Sequence, residues 1–279
     1  MRELPLEKIL ENVRRKSPLI HSITNYVTAN DCANMLLACG ASPIMAEDIG
    51  EAAEITSLCQ GLVINLGTLN QNKIPSMLAA GKRANELGHP VVFDPVGAGA
   101  SKLRTQTALQ MIKEIRFSVV RANHSEMKAL MGGSEIGNTR GVDADVSDQI
   151  TRENEEETAA FARRFARQTG AVAAITGAID IVADADNVYS IRNGHPMMCS
   201  VTGTGCQLSV LTAAFVAANP DMPLKAAAAA VCAMGVCGEI GFGRLCAMDG
   251  NASYRNYIID AMYHLTPEQL RKKARYQAD

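Results

Sequence analysis

The 279-residue chain carries 47% hydrophobic and 20% charged residues, with a net charge of −2. It is apolar enough to bury a sizeable core, and it lacks the basic excess that would point to nucleic acid or an anionic membrane surface. Aromatics make up only 4% and tryptophan is absent, so platforms for stacking single-stranded bases are not expected either.

In chain order, short β-rich runs alternate with longer helical ones. Leu19–Ile23 reads as a strand, followed by a helix through Leu37 that stops at Gly40. Pro43–Met45 is a short strand, with a helix starting near Asp48. Leu62–Leu66 is a buried strand followed by a helix ending near Leu87-Gly88, and Pro90–Asp94 is the next strand, followed by a helix over Leu103–Ile115. Phe117–Arg121 is a strand that leads into a short helix over Ser125–Met131. Gly132 to Asn154 is polar, reads as a loop, and leads to a helix over Glu155–Thr169 whose acidic start suits a helix N-terminus.

Ala171–Thr176 is a further strand, and Asp180–Ala183 with Val188–Ile191 forms a hairpin around Asp184–Asn187. Asn193-Gly194 is a type I′ turn signal, so another strand is expected over Met197–Val201. The last third is helical. One helix runs from Gly203 to Ala218 and stops at Asn219-Pro220; the next starts at Pro223 and continues towards Ile240. Tyr254–Leu265 is another helix, and the charged tail after Pro267 reads as a solvated one. The repetition predicts an α/β fold, a mostly parallel sheet between two helical layers, in a single domain over residues 1–279.

Eight cysteines are present, none in a CxxC pair, so a zinc site is not expected. Most lie among Ala, Met and Leu, where a thiol acts as a small core residue. Met1–Pro5 carries no apolar signal region, and no apolar run is read as membrane-spanning. The expectation is a cytoplasmic protein with reduced thiols and no membrane partner.

Six strand ends carry polar, thioether or glycine motifs. Gly203-Thr204-Gly205-Cys206 joins a strand to an apolar helix. Unpaired N–H groups at such a helix start face one point with the positive dipole end behind them, an anion hole suited to a phosphoryl group. The same four residues also read as an ordinary strand-to-helix turn. Asp94, in Phe93-Asp94-Pro95-Val96-Gly97, ends a strand at the edge where parallel sheets bind ligands, and is placed either to hold Mg2+ through water or to cap a turn. Arg121, in Arg121-Ala122-Asn123-His124-Ser125-Glu126, is a candidate phosphate contact, with Glu126 sharing the metal. Asn123 and Glu126 also match a capping box, and a cap would itself fix Glu126. Thr176-Gly177 ends another strand near the expected nucleotide, or is a plain turn. Asn25 and Met45, after the first two strands, offer an amide beside a thioether for a small heteroaromatic ring, although Met45 also suits core filling.

Taken in order, His21–Thr28, Pro43–Ala46, Asn65–Leu69, Asp94–Ala98, Arg121–Glu126 and Thr202–Cys206 resemble the hydroxyethylthiazole kinases, which have a ribokinase-like fold. The resemblance spans about residue 18 to about 265. It implies a three-layer αβα architecture with roughly eight or nine strands, a homotrimer, and active sites where subunits meet. It also implies that Met45, Gly203 and Asn25 bind the thiazole alcohol. Arg121 and Thr176 then bind ATP, and Asp94 and Glu126 lie around Mg2+. Cys206 stands where most similar sugar and vitamin kinases have the aspartate taken as base.

A thiolate base is chemically possible at a helix N-terminus. Phosphoryl transfer, however, mainly needs positioning and charge stabilisation, so Cys206 is expected to orient the hydroxyl rather than to be indispensable. Competing readings are a pyrimidine or pyridoxal kinase, a dehydratase acting on hydrated nicotinamide nucleotides, and a non-catalytic nucleotide binder. Cys206 argues against the first two. The joint presence of Asp94, Glu126 and Gly203–Gly205 argues against the third.

Overall fold

Strands apolar on both sides need helices on both faces. The chain supplies such strands: in the computed structural model, which describes residues 3–132 and 150–279, Val63, Val92 and Val119 enter one core, and Leu62, Ile64, Val91, Phe93 and Val120 enter the other. Six strands run parallel: β1 (Leu19–Ile23), β2 (Ser42–Ile44), β3 (Gly61–Asn65), β4 (Val91–Asp94), β5 (Val119–Asn123) and β6 (Val172–Thr176). Three more, β7 (Asp180–Ala183), β8 (Val188–Ile191) and β9 (Tyr276–Ala278), extend the sheet antiparallel. The result is a nine-stranded sheet in the order β2-β1-β3-β4-β5-β6-β7-β8-β9. It is the mostly parallel α/β sheet that the sequence predicts.

One face is covered by α1 (Leu6–Lys16), α2 (Ala29–Cys39), α8 (Thr204–Ala218), α9 (Pro223–Gly243) and α10 (Asn251–His264). The other face carries α4 (Lys73–Leu87), α5 (Lys102–Glu114), α6 (His124–Gly132) and α7 (Glu155–Thr169), with α3 (Ala52–Leu58) packed on α4. The α8 and α9 helices are apolar nearly all round because they are buried on nearly all sides. Contrary to the sequence reading, α9 is long and apolar enough to cross a membrane, but 78% of its apolar window is buried inside the protein, as in a core helix.

The structure corrects three further readings. A helix, α1, precedes the first expected strand; Leu6, Ile9, Leu10 and Val13 form its buried stripe. Met197–Val201 is not a strand. Pro196–Ser200 forms a 3-10 turn, which Pro196 starts without a ladder donor and which His195 Nδ1 caps by accepting from the Met197 N–H at 3.2 Å. The edge of β8 that this segment was expected to fill is taken by β9 from the C-terminal tail. That tail is therefore more than a solvated helix: α11 (Pro267–Lys273) opens with a Thr266/Gln269 capping box, buries Leu270, and delivers β9 to the sheet. The loop expected over Gly132–Asn154 lies mostly outside the described residues.

Candidate active site

A parallel sheet lines up the C-terminal ends of its strands along one edge. Here that edge carries Asn25 just past β1, Asn65 ending β3, Asp94 ending β4, Arg121 in β5 and Thr176 ending β6. Asn65 and Asp94 are register partners, as are Asn123 and Thr176. The α8 helix packs against β1, β3 and β4, and its first turns reach this edge through Cys206 and Ser209.

Asp94 is the hub. Its Oδ2 accepts from Arg121 Nη2 at 2.5 Å, Asn65 Nδ2 at 2.7 Å and Ser209 Oγ at 2.8 Å. Its Oδ1 is buried and accepts no hydrogen bond among the described residues. Arg121 also donates from Nε to Ser209 Oγ at 3.0 Å, and its guanidinium lies close against Gly205 in the first turn of α8. A Cβ at Gly205 would sit 2.9 Å from Arg121 Nη1, so the second glycine of the motif makes room for the arginine. Burial works against the arginine's charge, but Asp94 and then Glu126 outweigh it and push its pKa up.

Glu126 accepts from the Gly97 N–H at 2.8 Å and the Asn123 N–H at 3.0 Å, and its own N–H donates to Asn123 Oδ1 at 2.8 Å. The capping box is therefore real, and it holds the carboxylate at the strand edge. Burial raises the Glu126 pKa to about 7; Arg121 opposes the rise and Asp94 adds to it. In the unfolded chain the group titrates near 4.5, so between these pH values the folded state holds a proton that the unfolded state has lost. Stability from this group is full below 4.5 and falls as pH rises towards 7, by on the order of 3 kcal/mol. Glu126→Gln should flatten that slope in melting temperatures read between about pH 5 and pH 7; an unchanged slope would show that Glu126 is ionised throughout.

Gly203 caps α8 with φ +88°, and the first intrahelical bond runs from Gln207 N–H to Gly203 O at 2.8 Å. The N–H groups of the first turn thus face the strand edge with no intrahelical acceptor. Cys206, in that turn, is buried, and its Sγ accepts from Asn25 Nδ2 and Asn65 Nδ2 at 3.3 Å each. Burial, then the nearby Asp94, raise its pKa, while Arg121 pulls the other way. The helix start does not make this cysteine a ready thiolate.

Of the residues singled out from the sequence, Asn25, Asp94, Arg121, Glu126, Gly203, Gly205 and Cys206 come together. Asn25 Oδ1 accepts from Thr28 N and Oγ1 at 3.1 Å each, so its amide is engaged on both sides. Met45 and Thr176 stand at the margins. Met45 lies one residue past β2, 38% exposed, on a loop fixed where His21 Nε2 donates to the Ala46 carbonyl at 2.7 Å. Thr176 donates at 3.5 Å to the Ala122 carbonyl. Asn65, Ser209 and Thr28 belong to the cluster without having been given roles from the sequence. A cavity of about 550 Å³ lined by Arg152, Glu155, Arg192, Arg275, Tyr276 and Gln277 lies at the far edge of the sheet. Two of its arginines are already paired, Arg192 with Glu155 and Arg275 with Glu239, and it takes no part in the cluster.

Among the described residues, no group of three or more His, Cys, Asp or Glu side chains could hold a metal ion by itself. A magnesium ion needs no such cage, because it binds through one or two carboxylates, waters and substrate phosphates. The unpartnered Oδ1 of Asp94, with Glu126 nearby, fits that mode.

Sheet, helical layers and the glycine-started helix at the strand edge are those of a ribokinase-like fold. The structure of pyridoxal kinase from Staphylococcus aureus in complex with pyridoxal superposes with a TM-score of 0.60 over 94% of this chain and 97% of that one, at 14% identity. The chain belongs to the hydroxyethylthiazole kinase family, whose model matches residues 10–268. A hydroxyethylthiazole kinase from Clostridium acetobutylicum is 59% identical, over 98% of this chain and 99% of that protein. One from Ruminiclostridium cellulolyticum is 47% identical, over 97% and 96%. The structure of the hydroxyethylthiazole kinase protein from Pyrococcus horikoshii matches with a TM-score of 0.87 at 35% identity, covering 98% of each chain.

Proposed function

We propose that this protein transfers the γ-phosphoryl group of ATP to the hydroxyl of 5-(2-hydroxyethyl)-4-methylthiazole, in thiamine biosynthesis or salvage. The observation that carries the reading is the start of α8, where Cys206, not a carboxylate, sits beside the anion-binding turn in a chain of this family. A steady-state assay with Mg-ATP tests it, with hydroxymethylpyrimidine and pyridoxal as comparison alcohols. Preference for either comparison alcohol, or no turnover of the thiazole, would overturn it.

In the proposed mechanism the γ-phosphoryl lies over the N–H groups of Gly203, Thr204, Gly205 and Cys206, which stabilise charge spread over its oxygens. Met45 and the Asn25 neighbourhood receive the thiazole, with Gly203 letting it approach the backbone. Arg121 and Thr176 face the nucleotide, and Arg121 balances phosphate charge. Mg2+, when bound, offsets charge on the ATP phosphates; Asp94, through Oδ1, and Glu126 would hold it. Cys206, kept as a thiol by burial and by Asp94, orients the substrate hydroxyl and is not a strong base.

Cys206→Ala should therefore lower kcat by only about tenfold, well short of the 10²–10³ expected for losing an anion-hole donor. Cys206→Asp should keep or raise the rate if base help is limiting. A complete loss in a folded alanine variant would reverse the assignment.

A homotrimer with sites between subunits is part of the same proposal. It is supported by the exposed apolar residues Tyr26, Val27, Met45 and Ile49 around the first two strand ends, beside the open edge of β2. Particle mass from sedimentation tests it. A cytoplasmic location fits an ATP-dependent enzyme whose eight cysteines are all free thiols.

A further inference from the structure

Cys206 Sγ receives two side-chain N–H groups, and one of them is shared. Asn65 Nδ2 donates both to Cys206 Sγ at 3.3 Å and to Asp94 Oδ2 at 2.7 Å. The other end of the same amide is also fixed, because Asn65 Oδ1 accepts from Asn25 Nδ2 at 3.1 Å and from the Gly67 N–H at 2.8 Å. The chain leaves room for this arrangement. A Cβ at Gly67 would lie 2.7 Å from Asn25 Nδ2 and 2.8 Å from Asn65 Oδ1. Asn65 is 1% exposed, so its orientation is set by these partners and not by water.

We propose that Asn65 is a positioning residue of the kinase site, whose single amide nitrogen ties the thiol that orients the acceptor hydroxyl to the carboxylate on the metal side. A phosphoryl group passing between an alcohol and a nucleotide requires donor and acceptor to be held in line. Cys206 rides on α8 and Asp94 on β4, two elements that Ser209 also joins by donating to Asp94 Oδ2 at 2.8 Å. Asn65, at the end of β3, links them directly. Its acceptor side then orients Asn25, which supplies the second N–H to the sulfur. The role rests on the proposed phosphotransfer for its kinetic consequence only; the coupling of Asn65 to the Cys206 thiol stands independently of the substrate.

Asn65→Leu is the informative change, because it nearly keeps the volume while removing both donated bonds. In the folded full-length variant, kcat for the thiazole alcohol should fall by about 30- to 100-fold with KM within about twofold, the pattern of lost transition-state positioning. Combined with Cys206→Ala, the loss should be smaller than the product of the two single losses by about fivefold, as for residues acting through one another. A second readout needs no activity. Peptide-resolved alkylation by iodoacetamide at about pH 8 should slow at Cys206 by at least about fivefold, since the thiolate loses an N–H donor. The exposed Cys199 and Cys246 should react at wild-type rates.

If the wild-type protein fails to phosphorylate the thiazole alcohol, the functional reading falls while the alkylation result still decides the coupling. Wild-type alkylation at Cys206 in a folded variant, or fully multiplicative kinetic losses, would overturn the proposal. If Asn65→Leu does not fold, Asn65→Ser, too short to reach both the sulfur and Asp94, is to show the same slowing at Cys206 and the same KM-neutral loss.

Discussion

Arg121→Met is expected to lower kcat by at least about a thousandfold, in the range seen when an arginine that stabilises transferring phosphoryl charge is removed. It is also expected to destabilise the fold by about 3–5 kcal/mol, because it strands a buried carboxylate. The second effect follows from geometry. Asp94 is 0% exposed, and three donors share its Oδ2 while Oδ1 has no hydrogen-bond partner among the described residues. Without the guanidinium, two neutral donors remain to offset a full charge away from water. The two effects separate in the double variant Arg121→Met/Asp94→Asn. Neutralising the carboxylate should return most of the stability in urea melts, whereas activity should recover nothing, because the change also weakens the proposed metal site. A double variant no more stable than Arg121→Met would show that the Asp94 charge is not what makes the loss costly. Arg121→Lys should fall between, since a point charge cannot reach Asp94 and Ser209 together as Nη2 and Nε do.

The parts of this site that could be read in the sequence are those that strand ends impose. Asp94, Arg121 and Thr176 each lie at or near the end of a short apolar run, and a parallel sheet brings such ends to one edge whatever the details of packing. Gly203–Cys206 was legible for a similar reason, as a strand-to-helix junction with glycines. What stayed hidden needs distance across the chain. Asn65 looks like any polar strand end until the register places it beside Asp94 and α8 brings Cys206 within reach. Ser209 is one hydroxyl in an apolar helix, and only the packing of α8 turns it between Arg121 and Asp94. The raised Cys206 pKa could not be foreseen from its place in a helix N-terminus, because burial and the field of Asp94 oppose that dipole.

The fold divides in the same way. Tyr276–Ala278 is short and half polar, and it becomes a strand only because β8 offers an open edge that Pro196 prevents the nearer segment from taking. The α1 helix is the opposite case. Its stripe of Leu6, Ile9, Leu10 and Val13 has helical spacing, so that element was available from local pattern alone.

Gly203→Ala should reduce kcat by about 10²–10³, as expected when anion-hole donors move off target. Two separate obstacles meet at this residue. Its φ of +88° is in the left-handed region, costing an alanine about 1–2 kcal/mol. In addition, an added Cβ would overlap Thr28 Cγ2 and lie 3.0 Å from Thr28 Cβ. Thr28 has little freedom to retreat, because its N–H and hydroxyl both donate to Asn25 Oδ1 at 3.1 Å, and Asn25 in turn donates to Cys206. Pressure at Gly203 would therefore pass through Thr28 and Asn25 to the sulfur as well as tilting the first turn of α8. Thr28→Ser removes the offending methyl and keeps the hydroxyl. Added to Gly203→Ala, it should recover part of the rate, by about tenfold, while the backbone strain remains and keeps the double variant below wild type. If Thr28→Ser restores nothing, the loss comes from backbone conformation alone. If it restores full activity, the left-handed geometry of Gly203 is not needed to aim the N–H groups, and the anion hole would have to be assigned to later residues of the turn.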